Sequence, residues 1–129
     1  MVPDASSIVE FLLGTSRAEP MDRLLSESDT DLHVPGLCDV EVASVVRRLS
    51  RSGVLSDERQ DQAVSDYVDL PLTRHGHLKL LARVLELGDN FSAYDGTYVA
   101  LAEQLGADLL TADGRLRRAV VSLPTVKVI

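Results

Sequence analysis

Short apolar segments of strand type alternate along this chain with helical segments, and four of the helical segments run into a glycine. Val2-Pro3 reads as a first strand, and Asp4-Ala5-Ser6 turns it into a helix from about Ser7 to Leu13 that Gly14 stops. A second helix is predicted from about Ala18 to Ser26, with Pro20 acceptable in its first turn. Leu32-His33-Val34 is a strand closed by Pro35-Gly36. The helix after it reaches about Arg51, with Val42, Val45, Val46 and Leu49 on one apolar face and Gly53 as its C-terminal cap. Ser56 caps a helix that ends near Tyr67, Leu70 to Thr73 is a strand, and His77 to Leu87 is a helix closed by Gly88. Ser92 caps a further helix to Leu105, with Asp95 placed as in a capping box and Gly106 as the stop. Asp108 to Thr111 is a strand, Leu116 to Val121 a short helix and Val126 to Ile129 a last strand. Strands separated by helices imply parallel pairing, so the expected fold class is α/β, with a central parallel sheet flanked by helices.

At 129 residues the chain fits one domain, and 45% hydrophobic residues are enough for a core. No apolar run reaches the roughly 18 residues of a membrane span. Met1-Val2-Pro3-Asp4 has no basic leader, and a soluble cytoplasmic protein is the simplest reading. Cys38 is the only cysteine, which excludes an intrachain disulfide and a cysteine zinc cluster. The net charge of −7 runs against the basic footprint of most nucleic-acid enzymes. The basic residues are clustered, however: Arg47, Arg48 and Arg51 form one group and Arg115, Arg117 and Arg118 another, six of 13 Lys and Arg. Solvated helix faces are the plain alternative for both groups.

In open α/β sheets the ligand site lies beyond the carboxyl ends of the strands. Asp4 follows the first strand and Asp113 follows Leu109-Leu110-Thr111, so parallel neighbours would bring both acids to one edge. Glu41 and Asp95 stand near the starts of their helices, the ends that face that edge after a right-handed crossover. Two carboxylates about 4 Å apart repel by roughly 4 kcal/mol at an effective dielectric near 20. Four together need protonation or bridging cations, and hard oxygen ligands select Mg2+ or Mn2+. Such ions hydrolyse phosphodiesters without a histidine base or a cysteine nucleophile. Each acid has a structural alternative: Asp4 as a helix cap, Asp95 as a capping-box acid, Glu41 as an arginine's partner, Asp113 as a turn residue in Ala112-Asp113-Gly114. His33, His75 and His77 are read as ordinary histidines, the last two in a solvated turn with no third ligand nearby.

The segment from Ser92 to Arg115, with its Tyr-Asp-x-x-Tyr-Val-Ala-Leu-Ala-Glu string and following Thr-x-Asp, resembles the C-terminal half of PIN-domain proteins of the VapC toxin family. Asp4-Ala5-Ser6 is similar to that family's opening Asp-x-Ser. Val40 to Gly53 resembles its helix with a Glu ahead of a run of arginines and a glycine. The resemblance covers essentially the whole chain, as a single PIN domain over residues 1–129 with a PIN-like three-layer sandwich. It implies a ribonuclease toxin of a type II toxin–antitoxin pair that uses Mg2+ or Mn2+ on Asp4, Glu41, Asp95 and Asp113, with Ser6 and Thr111 as supporting hydroxyls. It further implies products with 3′-hydroxyl and 5′-phosphate ends, a homodimer, and a VapB-type antitoxin that wraps the toxin and places a basic side chain in the acidic site. Transfer RNA or a ribosomal RNA loop is the substrate it suggests. Three positions depart from the pattern: Pro3 in a central strand, Gly88 where many relatives carry arginine, and Gly96 inside a helix, at a cost of roughly 1 kcal/mol relative to alanine.

Two other functions fit an acidic α/β domain. A receiver-like regulatory domain needs a lysine beside its phosphoacceptor, and the only lysines, Lys79 and Lys127, fall in a helix and in the terminal strand. A non-catalytic PIN-fold module that sequesters an antitoxin or RNA is the remaining alternative, and the presence of all four acids argues against it.

Overall fold

The computed structural model describes residues 1–129. Its strands are β1 (Val2–Pro3), β2 (Leu32–Pro35), β3 (Leu72–His75) and β4 (Leu109–Leu110). Its helices are α1 (Ala5–Leu12), α2 (Glu19–Ser26), α3 (Leu37–Arg51), α4 (Asp57–Val68), α5 (Leu81–Leu87), α6 (Ala93–Leu105) and α7 (Gly114–Val121). Short 3-10 turns at Leu78–Leu80 and Gly88–Asn90 flank α5. All strand pairing is parallel, β1 with β4 and β2 with β3. The protein is an α/β sandwich, its parallel strands covered by helices.

Main-chain bonds join the two pairs at one point only. The Met1 amino group donates to Asp31 O at 3.1 Å, and His33 N donates to Met1 O at 3.0 Å. The next two rungs of a parallel ladder in this register would be donated by residues 3 and 35, and both are prolines. The β1–β2 ladder therefore stops after Met1. Pro3 costs nothing on the other side, because β1 bonds to β4 through its flanking residues: Val2 N to Asp108 O at 2.8 Å and Asp4 N to Leu110 O at 2.9 Å.

A single cluster of 26 buried apolar residues draws on all seven helices, so every helix shares one core. α6 is its centre. Gly96 to Ala102 are buried without interruption, so this helix is enclosed on all sides rather than presenting one apolar face. It touches β1, β2 and β4 and has α5 against it, while α1, α3 and α4 pack on one another. Gly96 sits where α5 and the following turn approach: a Cβ there would lie 3.4 Å from Val84 Cγ1 and 3.8 Å from Leu87 Cδ1. Gly14, Gly53, Gly88 and Gly106, the expected helix stops, all have positive φ. Gly106 is left-handed at φ 59°, as a C-terminal cap that only glycine adopts without strain.

Several boundaries differ from the sequence expectation. β3 begins at Leu72 rather than Leu70, because Leu70 N still donates to Tyr67 O at the tail of α4 and Pro71 intervenes. α1 and α7 start two residues earlier than expected, since Asp4 and Asp113 are themselves the caps. The expected strand Val126–Ile129 shrinks to one bridge between Val128 and Leu109, as the two-residue β4 offers no longer template. His77–Leu87 opens with a 3-10 turn. His33 and His75 meet across β2 and β3, Nδ1 to Nε2 at 2.9 Å, so His75 is not the solvated turn residue expected.

Candidate active site

Asp4 is 5% exposed and lies at the carboxyl end of β1. Its Oδ1 accepts from Ser6 Oγ at 2.6 Å and from Ser7 N at 3.0 Å, the second bond capping α1. Its Oδ2 accepts from Thr111 Oγ1. Both oxygens of a buried carboxylate are thus held in place, and by the hydroxyls expected to support the site. The same hydroxyls fix the loop after β4: Ala112 N donates to Ser6 Oγ and Asp113 N to Thr111 Oγ1, each at 3.0 Å.

Asp113 caps α7, with Oδ1 accepting from Arg115 N at 2.7 Å and Leu116 N at 3.3 Å. Glu41 projects from the second turn of α3 and accepts a 2.8 Å bond from the Tyr98 hydroxyl. Asp95 stands in the first turn of α6, where its N–H is satisfied by the Ser92 cap at 3.0 Å, and its carboxylate accepts from Arg115 Nη2 at 3.1 Å. The same guanidinium lies 3.9 Å from Asp113 Oδ2. The four acids come from positions 4, 41, 95 and 113, and all line one open cleft of about 610 Å3 together with Ser6, Arg48 and Tyr98.

Burial governs the electrostatics of the cleft, and neighbouring anions add to it. Burial pushes the Glu41 carboxyl above its usual range, the charges of Asp95 and Asp4 add to the shift, and the Tyr98 hydrogen bond opposes it. Burial likewise raises Asp95; Arg115 and Ser92 counter it, and Asp113 and Asp4 reinforce it. The acids of the cleft offer carboxylate oxygens, the ligand type of hard divalent cations. No group of three or more His, Cys, Asp or Glu side chains is arranged to hold a metal ion as the side chains stand. The guanidinium of Arg115 instead supplies positive charge between Asp95 and Asp113.

Three of these participants went unnoticed in the sequence. Tyr98 enters the sequence reading only as part of the Tyr-Asp-x-x-Tyr string. Its phenol is 1% exposed in total, and a buried tyrosine hydroxyl requires a partner, which is the signal that pointed to one of the acids. Arg48 and Arg115 were read only as members of basic clusters.

The chain matches the PIN domain family over residues 1–121, and its α/β sandwich is consistent with that class. It is 39% identical over 120 residues to ribonuclease VapC3 of Mycobacterium tuberculosis, a match that covers 92% of this chain and 86% of that protein. The crystal structure of Mycobacterium tuberculosis VapC20, a toxin that cleaves the sarcin-ricin loop, has the same fold, with a TM-score of 0.68 at 16% identity over 92% of this chain and 93% of that one. A toxin–antitoxin complex from Klebsiella pneumoniae contains a chain that superposes with a TM-score of 0.64 at 15% identity, covering 99% and 94%. The chain belongs to the VapC ribonuclease family of PIN-domain proteins. No helix is long and apolar enough to cross a membrane.

Proposed function

We propose that this protein is a Mg2+- or Mn2+-dependent endoribonuclease toxin, one single PIN domain over residues 1–129, that hydrolyses RNA phosphodiesters in the acidic cleft. The observation that carries the reading is that Asp4, Glu41, Asp95 and Asp113, from four distant segments, line one cleft, where burial, reinforced by the neighbouring acids, raises Glu41 and Asp95. The naming of its relatives as ribonucleases supports the same activity. Asp4, Glu41, Asp95 and Asp113 are the residues that would hold the cation, which supplies charge to the phosphate and acidifies water. The chain's own part is positional. Ser6 and Thr111 fix both oxygens of Asp4, and Tyr98 holds Glu41 from the core side. Arg115 offsets Asp95 and Asp113 in the absence of another cation.

The partner is a VapB-type antitoxin, a reading supported by the fold shared with a chain of the Klebsiella complex and by the net charge of −7, which suits a basic partner. The protein is cytoplasmic and dimerises with its own copy, and its substrate is a structured RNA, transfer or ribosomal.

The test is incubation of antitoxin-free protein with total RNA, with Mn2+ and with EDTA, beside Asp4→Asn. Discrete fragments that need both the metal and Asp4 are expected. A folded protein that binds Mn2+ yet leaves all RNA intact is a sequestering module instead, and one that neither cuts nor binds Mn2+ has no four-carboxylate site.

A further inference from the structure

A second cavity, of about 360 Å3, opens on the other side of the β4 carboxyl end from the acidic cleft. Thr111 belongs to both: it lines this cavity, and its hydroxyl holds Asp4 in the cleft. The cavity has two characters. Met21, Leu110 and Ile129 give it an apolar floor, while the exposed guanidiniums of Arg17 and Arg117 stand at its rim. Both arginines are anchored to main-chain oxygens. Arg17 Nη1 donates to Ala112 O at 3.4 Å, and Arg117 Nη2 donates to Thr111 O at 2.9 Å and to Ile129 O at 2.6 Å. No Asp or Glu side chain pairs with either, and Glu19, the acid at the same rim, is committed to Arg23.

Ser7 supplies an independent sign. It is 4% exposed, it lines the cavity, and its hydroxyl has no hydrogen-bond partner. A buried hydroxyl left unpaired is costly and rare, and beside a cavity it is a group that a ligand atom or an ordered water would satisfy. An apolar floor fits the face of a base, a guanidinium rim fits a phosphate, and a lone hydroxyl fits a polar base edge. The volume lies within the span of small-ligand sites, about 300–1,000 Å3.

We propose that this cavity binds one nucleotide unit of the RNA strand, adjacent to the phosphodiester in the acidic cleft, and thereby contributes to base preference at the cut. The proposal rests on the ribonuclease reading for the strand to which that nucleotide belongs. The two cavities are neighbours along the chain: Ser6 lines the cleft and Ser7 this cavity, and Thr111, which lines this cavity, bonds Asp4 in the cleft.

The test titrates the folded protein, in EDTA, with each of the four ribonucleoside 5′-monophosphates and with inorganic phosphate, and follows amide shifts by NMR. Shifts gathered at Ser7, Arg17 and Ala112 are expected, unequal among the four bases and weaker for phosphate alone. Arg17→Ala is expected to weaken nucleotide binding by about tenfold, the loss of one charge-assisted contact. Ser7→Ala, which removes an unpaired hydroxyl and so retains the fold, is expected to narrow the difference between bases. Absence of shifts at these amides overturns the proposal, as does phosphate binding as tightly as any nucleotide, which defines a bare anion site. Cleavage is not needed for this readout, so nucleotide binding in a protein that cuts no RNA sinks the ribonuclease reading alone. Unchanged cut positions and KM in both variants of an active enzyme sink the subsite alone.

Discussion

The Tyr98 hydroxyl donates to Glu41 Oε1 at 2.8 Å from a side chain that is 1% exposed, so the central helix of the core holds an acid of the cleft by its own buried phenol. The two residues are 57 positions apart, and the bond ties α6 to α3 beneath the cleft floor. Tyr98→Phe keeps the ring and removes the donor. It is expected to lower stability by about 2 kcal/mol, the scale of a hydrogen bond to a charged group, and to raise the Glu41 pKa further. Thermal denaturation checks the first and an NMR titration of the carboxyl the second; RNA cleavage is expected to fall in kcat more than in KM.

Glu41→Gln should make the protein more stable while removing its activity. The raised Glu41 pKa means that folding disfavours the ionised form, so at neutral pH this carboxylate costs stability that a neutral amide does not. The amide oxygen can still accept from Tyr98. A higher melting temperature in EDTA is expected, together with loss of the stabilisation that Mn2+ gives the unmodified protein. A lower melting temperature would show that the cluster is not electrostatically strained at this residue.

Acid sensitivity has a different origin. Arg83 holds Glu103 below its usual range through paired hydrogen bonds at 2.7 and 2.9 Å, with Thr125 adding another at 2.6 Å. A depressed folded pKa gives stability that is present above the unfolded value, near 4.3, and is lost as pH falls through the folded one. Urea midpoints measured downward from neutral pH should fall in that window, and Glu103→Gln should flatten the fall while starting from a less stable protein. Equal slopes in the two would remove Glu103 from the account.

Gly96→Ala tests the packing of α5 on α6. The added Cβ meets Val84 Cγ1 at 3.4 Å, at the near end of ordinary contact, and the helical backbone accepts alanine. A gain of up to about 1 kcal/mol is expected from helix propensity. Destabilisation in a thermal melt would mean that Val84 has no room to yield.

What was legible in the sequence is what local chemistry determines. Four glycines stop helices because no other residue takes positive φ cheaply, and Ser56 and Ser92 cap α4 and α6 because their hydroxyls satisfy the first N–H groups. The acids of the cleft could be nominated because each follows a strand or opens a helix, and parallel topology aims those ends at one edge. Asp4 and Asp113 nevertheless cap their helices as well as line the cleft, so the alternatives weighed for them hold at the same time. What stayed hidden depends on register. The His33–His75 contact follows from β2 lying beside β3, and the Arg115 contact to Asp95 from a loop returning across 20 residues. The two-residue β4 gave too little template for the last strand to be more than a bridge.

The prolines at positions 3 and 35 leave a seam without main-chain bonds between β1 and β2. Asp4 leaves the end of β1 and Glu41 stands on the helix that follows β2, so the seam passes beneath the pair. Past Met1 and His33, only side-chain packing sets the spacing of the two strands there. Elsewhere in a parallel sheet, shifting one strand against its neighbour sacrifices rungs; here residues 3 and 35 have none to lose. The spacing of Asp4 and Glu41 therefore depends on side chains rather than on main-chain rungs: Ser6 and Thr111 hold the one and the buried Tyr98 phenol the other.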